Sequence, residues 1–132
     1  MITEQTVFLV VDDMDSMRRI NSNQLSSLGA RQILLANNGL EALKILDTRR
    51  VDVILCDWNM PVMTGFELLL KVRGDERTAH LPFIMITADC EREQVKHKNC
   101  ANCFRYARDW YTDVARIVEK HHARSRQLAF AA

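Results

Sequence analysis

A chain of 132 residues, 48% of them apolar, is long enough for one domain with a real core and too apolar to stay disordered. No apolar run approaches the roughly 20 residues of a membrane span, and the opening Met1 to Asp13 lacks the basic stretch and small-residue cleavage site of a secretory signal. The net charge of +1 hides an asymmetry, ten Lys/Arg against fourteen Asp/Glu over residues 1–95 and eight against three over residues 96–132, which reads as a solvated basic helix face rather than a nucleic-acid surface.

In chain order, the first apolar segment is Val7-Phe8-Leu9-Val10-Val11, a β-branched run expected to form a strand. A helix is predicted from about Ser16 to Leu28, with Met17, Ile20, Leu25 and Leu28 on its apolar stripe and Gly29 placed to end it. Ile33 to Ala36 reads as a second strand. Asn38 then stands three residues before Glu41, an N-cap signature for a helix carrying Ala42, Leu43, Ile45 and Leu46. Val51 to Cys56 is almost wholly apolar, as expected of a parallel strand covered on both faces. Thr64-Gly65-Phe66-Glu67 fits a capping box and opens a third helix with Leu68, Leu69 and Val72. Phe83 to Thr87 is a fourth strand.

Beyond Thr87 the pattern weakens. Asp89 can cap a polar helix from Glu91 to about Asn99, Cys103 to Ala107 reads as a weak fifth strand, and a last helix is expected from Thr112 or Asp113 with Val114, Ile117, Val118 and His121 on one face. One domain is expected over residues 1–132, with its core over about 6–122 and a frayed tail at 124–132. Strand and helix alternate, which predicts a parallel α/β sheet with right-handed crossovers.

In such a sheet the carboxyl ends of the first, third and fourth strands face one crevice, where open α/β sheets place their ligands. Those ends deliver Asp12 and Asp13, then Asp57, then Thr87. A lone Asp after a strand is usually a turn residue. Three carboxylates at one point instead repel each other and call for a cation. Oxygen ligands without His or Cys suit Mg²⁺. A carboxylate beside Mg²⁺ can attack phosphorus to form an acyl phosphate, with the Thr87 hydroxyl donating to a phosphoryl oxygen.

The runs Phe8-Leu9-Val10-Val11-Asp12-Asp13, Met17-Arg18-Arg19-Ile20, Cys56-Asp57-Trp58-Asn59-Met60-Pro61 and Leu81 to Ala88 resemble the receiver domain of two-component response regulators, above all its single-domain chemotaxis type. The resemblance covers residues 6 to about 95. It implies a flavodoxin-like, doubly wound fold with five parallel strands in the order 2-1-3-4-5 and helices on both faces, in a cytoplasmic protein. It also implies that Asp57 accepts a phosphoryl group from a histidine kinase. Asp13, Asp57 and the main-chain carbonyl of Asn59 would bind Mg²⁺ directly, and Asp12 would act mostly through water. Asn59 would influence water attack on the acyl phosphate, and Thr87 and Tyr106 would form the switch. The output would be a surface read by a flagellar motor switch component or a phosphorelay protein, with no DNA-binding domain and no membrane attachment.

The chain departs from the family where a Lys, usually followed by Pro, ends the fifth strand. Without gaps that position falls on Asp109, and no Lys lies between Lys98 and Lys120. Arg105 or Arg108 is a larger, planar substitute. Weak coupling of phosphorylation to the output surface is therefore expected, and two rivals to the switch stand beside it. One is a phosphorylation-insensitive pseudo-receiver acting as a binding scaffold, and the other is a Cys/His metal or thiol sensor. Cys90, His97, Cys100, Cys103 and His121 carry zinc-type ligands. A single Cys-x-x-Cys with an irregular fourth ligand is a weak signal, and no structural zinc is expected. The four cysteines have no secretory context and are expected to be reduced, with Cys56 in the core.

Overall fold

The computed structural model describes residues 2–86, the backbone of residues 103–106, residue 111 and residues 114–119. The elements run β1 (Val7–Val11), α1 (Asp15–Ser27), β2 (Gln32–Ala36), α2 (Gly39–Thr48), β3 (Val53–Asp57), α3 (Gly65–Gly74), β4 (Phe83–Ile86) and β5 (Cys103–Tyr106). The strands form one sheet, ordered β2-β1-β3-β4-β5, and every neighbouring pair is parallel. This is the expected flavodoxin-like order.

Side chains alternate across the sheet, so each central strand feeds two cores. Leu9, Val11, Ile54, Cys56, Phe83 and Met85 point to the face covered by α2 and α3, where Ala42, Leu68, Leu69 and Val72 meet them. Phe8, Val10, Val53, Leu55 and Ile84 point to the other face. There they meet Leu25 of α1 and Val114, Ile117 and Val118 of a helical segment over residues 114–119. Helices thus cover both faces, and β1 and β3 lie buried between them.

Local signals explain where the helices start and stop. The Asn38 side chain accepts the Glu41 N–H at 2.9 Å. Thr64 Oγ1 accepts the Glu67 N–H at 3.2 Å and lies 3.3 Å from Glu67 Oε1, the reciprocal pair of a capping box. At the end of α1, Ala30 N–H bonds the Leu25 carbonyl and Gly29 N–H bonds that of Ser26. This Schellman closure needs a left-handed residue, and Gly29 supplies φ of 105°.

Three expectations need correction. The stripe of α1 is displaced: Asn21 and Leu25 are buried, whereas Ile20 is 50% and Leu28 37% exposed. Successive helical residues differ by about 100°, so pressing Asn21 and Leu25 onto the sheet carries Ile20 to the flank. Leu28 lies beyond the last turn as the C-cap. The third strand begins at Val53 rather than Val51, because the Asp52 carboxylate takes the Val7 N–H at 2.8 Å and the Arg50 guanidinium at 2.9 Å. It also runs through Asp57, which pairs with Ile86. Asp57 is therefore the last residue of the ladder.

The weak fifth strand is present, with its backbone paired so that Tyr106 lies beside Ile86. Thr87, the helix expected over 91–99, Asp109, His97, Cys100, His121 and the tail at 124–132 lie outside the described residues, as do the side chains of Cys103 and Tyr106. Among the described residues no helix is long and apolar enough to cross a membrane.

Candidate phosphoacceptor and metal site

The β1 ladder continues one step into Asp12, whose N–H bonds the Ala36 carbonyl at 3.1 Å. That step buries Asp12, which is 3% exposed. Its carboxylate turns back to accept the Met14 N–H at 2.9 Å, so the chain bends sharply and Asp13 projects toward solvent. Asp57 arrives from the adjacent β3. The three side chains each bring a carboxylate oxygen within 4.8 Å of the others.

Two of these groups are held away from their ordinary ionisation. Burial, then the charge of Asp12, pushes the Asp57 carboxyl up to about 6, against the N–H groups of Asn59 and Trp58, which favour its charged form. Burial also raises Asp12, with the Asp13 charge adding to the effect. The cluster thus gathers negative charge that water cannot fully solvate, and its all-oxygen donor set fits a hard divalent ion such as Mg²⁺.

The loop from β3 to α3 is fixed on both sides of Asn59. Trp58, Met60 and Met63 are buried, and the Trp58 ring lies 5.7 Å from that of Phe66. Gly65 N–H bonds the Trp58 carbonyl at 2.9 Å. Asn59 is exposed, and its N–H bonds the Asp57 carboxylate. Between the anchors the chain makes a γ-turn, Met63 N–H to Pro61 carbonyl at 2.8 Å, with Val62 at φ of 72°. A β-branched residue is strained there, and Val62 is 73% exposed, so its side chain returns little packing. Val62→Asn is expected to stabilise the protein by about 1 kcal/mol. Urea unfolding checks this: the midpoint should rise with the slope unchanged.

The structure brings the carboxylates of Asp12, Asp13 and Asp57 together, with the Asn59 N–H against Asp57. It also places Arg18 there, a residue given no role by its motif. Arg18 Nη1 donates to the Asp12 carbonyl at 2.7 Å and Nη2 to Asp15 Oδ1 at 3.0 Å. The spacing of Asp15 and Arg18 announces a helical i,i+3 pair. Nothing in the spacing announces the reach back over Asp12.

Residues 8–106 match the family model of the response regulator receiver domain. The chain belongs to the response regulator receiver family. Among receivers, it is 47% identical over 87 residues to the chemotaxis protein CheY of Pseudomonas aeruginosa, covering 66% of this chain and 70% of that one. The same identity holds over 88 residues with CheY1 of Helicobacter pylori, 66% of this chain and 71% of the other. The receiver fold extends further than that aligned stretch. A Vibrio cholerae CheY4 structure covers 87% of this chain and 97% of its own, with a TM-score of 0.73 and 30% identity. A Thermotoga maritima response regulator, TrrA, solved in complex with Mg²⁺-BeF, shares the fold at a TM-score of 0.73 and 24% identity, over 89% of this chain and 99% of that one.

Proposed function

We propose that this receiver is a phosphoacceptor switch in two-component signalling, of the chemotaxis type. In this reading Asp57 takes its phosphoryl group from the phosphohistidine of a histidine kinase. The observation that carries the reading is the meeting of Asp57 with Asp12 and Asp13 within 4.8 Å at the carboxyl ends of adjacent parallel strands.

Asp57 is the nucleophile. One carboxylate oxygen bonds to phosphorus while the phosphorus–nitrogen bond of the donor breaks and its electron pair returns to the imidazole. The attack needs the ionised carboxylate, which the N–H groups of Asn59 and Trp58 favour and which predominates above about pH 6. Asp13, Asp57 and the Asn59 carbonyl would hold Mg²⁺, with Asp12 acting through water. The ion when bound would offset the clustered charge and that of the phosphoryl oxygens. Thr87 directly follows β4 and takes the role of hydroxyl donor to the phosphoryl group on that ground. Tyr106, in the strand beside Ile86, is its partner in the switch. Asn59, exposed two residues after Asp57, takes the role of influencing water attack on the acyl phosphate. The output is a protein-binding surface, with a flagellar motor switch component or a phosphorelay protein as its reader.

The test is intact-mass measurement after incubation with a small phosphodonor and Mg²⁺. One phosphate is expected on the parent protein and none on Asp57→Asn or in excess chelator. Mg²⁺ titration followed by fluorescence of Trp58, buried beside the acceptor, is expected to saturate and to weaken at least tenfold in Asp13→Asn. A parent protein that takes no phosphate would turn the reading to a binding scaffold. An unchanged titration in Asp13→Asn would remove Asp13 from the ligand set.

A further inference from the structure

We propose that Arg18 is a positioning residue for the acidic site, fixing the Asp12–Asp13 turn in the shape that presents Asp13 to a divalent cation. The inference rests on the Mg²⁺ reading above and adds a residue outside the ligand set.

Its side chain is only 13% exposed, although it is charged and belongs to the first turn of a surface helix. Arg19, next in sequence, approaches the same Asp15 at 3.5 Å but is 74% exposed. What distinguishes Arg18 is its second hydrogen bond, to the Asp12 carbonyl at 2.7 Å. That oxygen belongs to the peptide plane that also holds the nitrogen and Cα of Asp13. Fixing it fixes where the Asp13 side chain departs. The Met14 N–H bond to Asp12 Oδ1 closes the turn from the other side. A guanidinium can engage the carbonyl and Asp15 together in a fixed fork, which a lysine ammonium on a flexible stem cannot match.

Charge and position make opposite predictions here. Arg18 brings a positive charge to a site proposed to bind a cation, so its neutralisation should strengthen binding if charge were its whole effect. If it holds the turn, neutralisation should weaken binding. Supporting groups behind metal ligands typically carry a factor of 10 to 100 in affinity.

The experiment titrates Mg²⁺ into the metal-free full chain by Trp58 fluorescence, comparing Arg18→Met, Arg18→Lys and Arg19→Met. Amide hydrogen exchange at Asp13 and Met14 is measured without metal. Arg18→Met is expected to weaken Mg²⁺ about tenfold and to speed exchange of the Met14 amide. Arg18→Lys should recover part of both effects, and Arg19→Met should leave both within twofold of the parent. Should Arg18→Met fail to fold, Arg18→Lys carries the test, with Mg²⁺ weakened at least threefold at unchanged charge. Affinity kept or improved in the folded Arg18 variants, with the parent binding normally, overturns this proposal alone. A parent protein that shows no Mg²⁺ response removes the metal reading and this proposal together.

Discussion

Asp57→Asn is expected to melt about 3–8 °C above the parent protein near pH 7.5 in the absence of divalent ions, and the gain is expected to vanish near pH 4. The cause is the raised carboxyl, about 6 in the folded protein against an ordinary value of 3.8, set first by burial and then by Asp12 and Asp13. A folded-state value above the unfolded one means that ionisation costs the native state. That cost is absent below about pH 4, grows as pH rises toward 6 and is complete above it. Two units correspond to about 3 kcal/mol. Partial exposure of Asp57 and screening by solvent reduce this to about 1–2 kcal/mol. Asparagine keeps the size and an acceptor oxygen for the Asn59 and Trp58 N–H groups while removing the charge. Mg²⁺ should raise the melting temperature of the parent, because it binds only the folded site, and should move the variant little. Thermal melts at both pH values, with and without Mg²⁺, check all of this. A variant that melts with the parent at pH 7.5 would mean that the cluster is better solvated than its burial indicates.

Asp57 alone reads as a turn residue, and it becomes legible as a site because parallel alternation brings the strand end before it to the same crevice as the end of the first strand. Asp12 and Asp13 gain their meaning from the same convergence. The caps at Asn38 and Thr64 and the closure at Gly29 were legible too, since each depends on residues within three or four positions of one another. What escaped depends on distant packing. The phase of α1 is set by how the helix lies on Val10 and Leu55 of the sheet, and two adjacent residues, Ile20 and Asn21, can each complete a plausible stripe. The start of β3 has no local signal, because Asp52 is claimed by β1, 45 residues earlier. The γ-turn at Val62 is imposed by the buried Met60 and Met63 on either side, and a valine gives no hint of positive φ. Arg18 was hidden because its decisive partner is a main-chain oxygen, which has no sequence signature.

Gly65→Ala is expected to destabilise the protein by about 1–3 kcal/mol and to slow phosphoryl uptake on the remaining folded protein by more than tenfold. Propensity alone points the other way, since alanine suits a helix better than glycine by about 1 kcal/mol. The difference lies in what a methyl group would meet. A Cβ at Gly65 would overlap the main-chain oxygen of Asp57 and lie 2.8 Å from Met85 Sδ and 3.1 Å from Trp58 Cα. The methionine could swing aside. The other two atoms belong to the strand end that carries Asp57. That strand end is held by the Trp58 N–H bond to the Ile86 carbonyl at 2.9 Å, while the Gly65 N–H bond to the Trp58 carbonyl ties α3 to it. Relief must come from lifting the start of α3 or from tilting Asp57 out of line with Asp12 and Asp13. A displacement of about 1 Å at a reacting group can cost a hundredfold in rate. Gly74→Ala is the control at the other end of the same helix, where nothing lies within 4 Å of the added carbon, and it should leave stability and uptake near parental values. Urea unfolding and the time course of phosphate incorporation at saturating donor and Mg²⁺ measure the two effects. Parental behaviour in Gly65→Ala would mean that α3 can slide on the sheet without moving Asp57, and that the close approach at Gly65 does not set the position of that carboxylate.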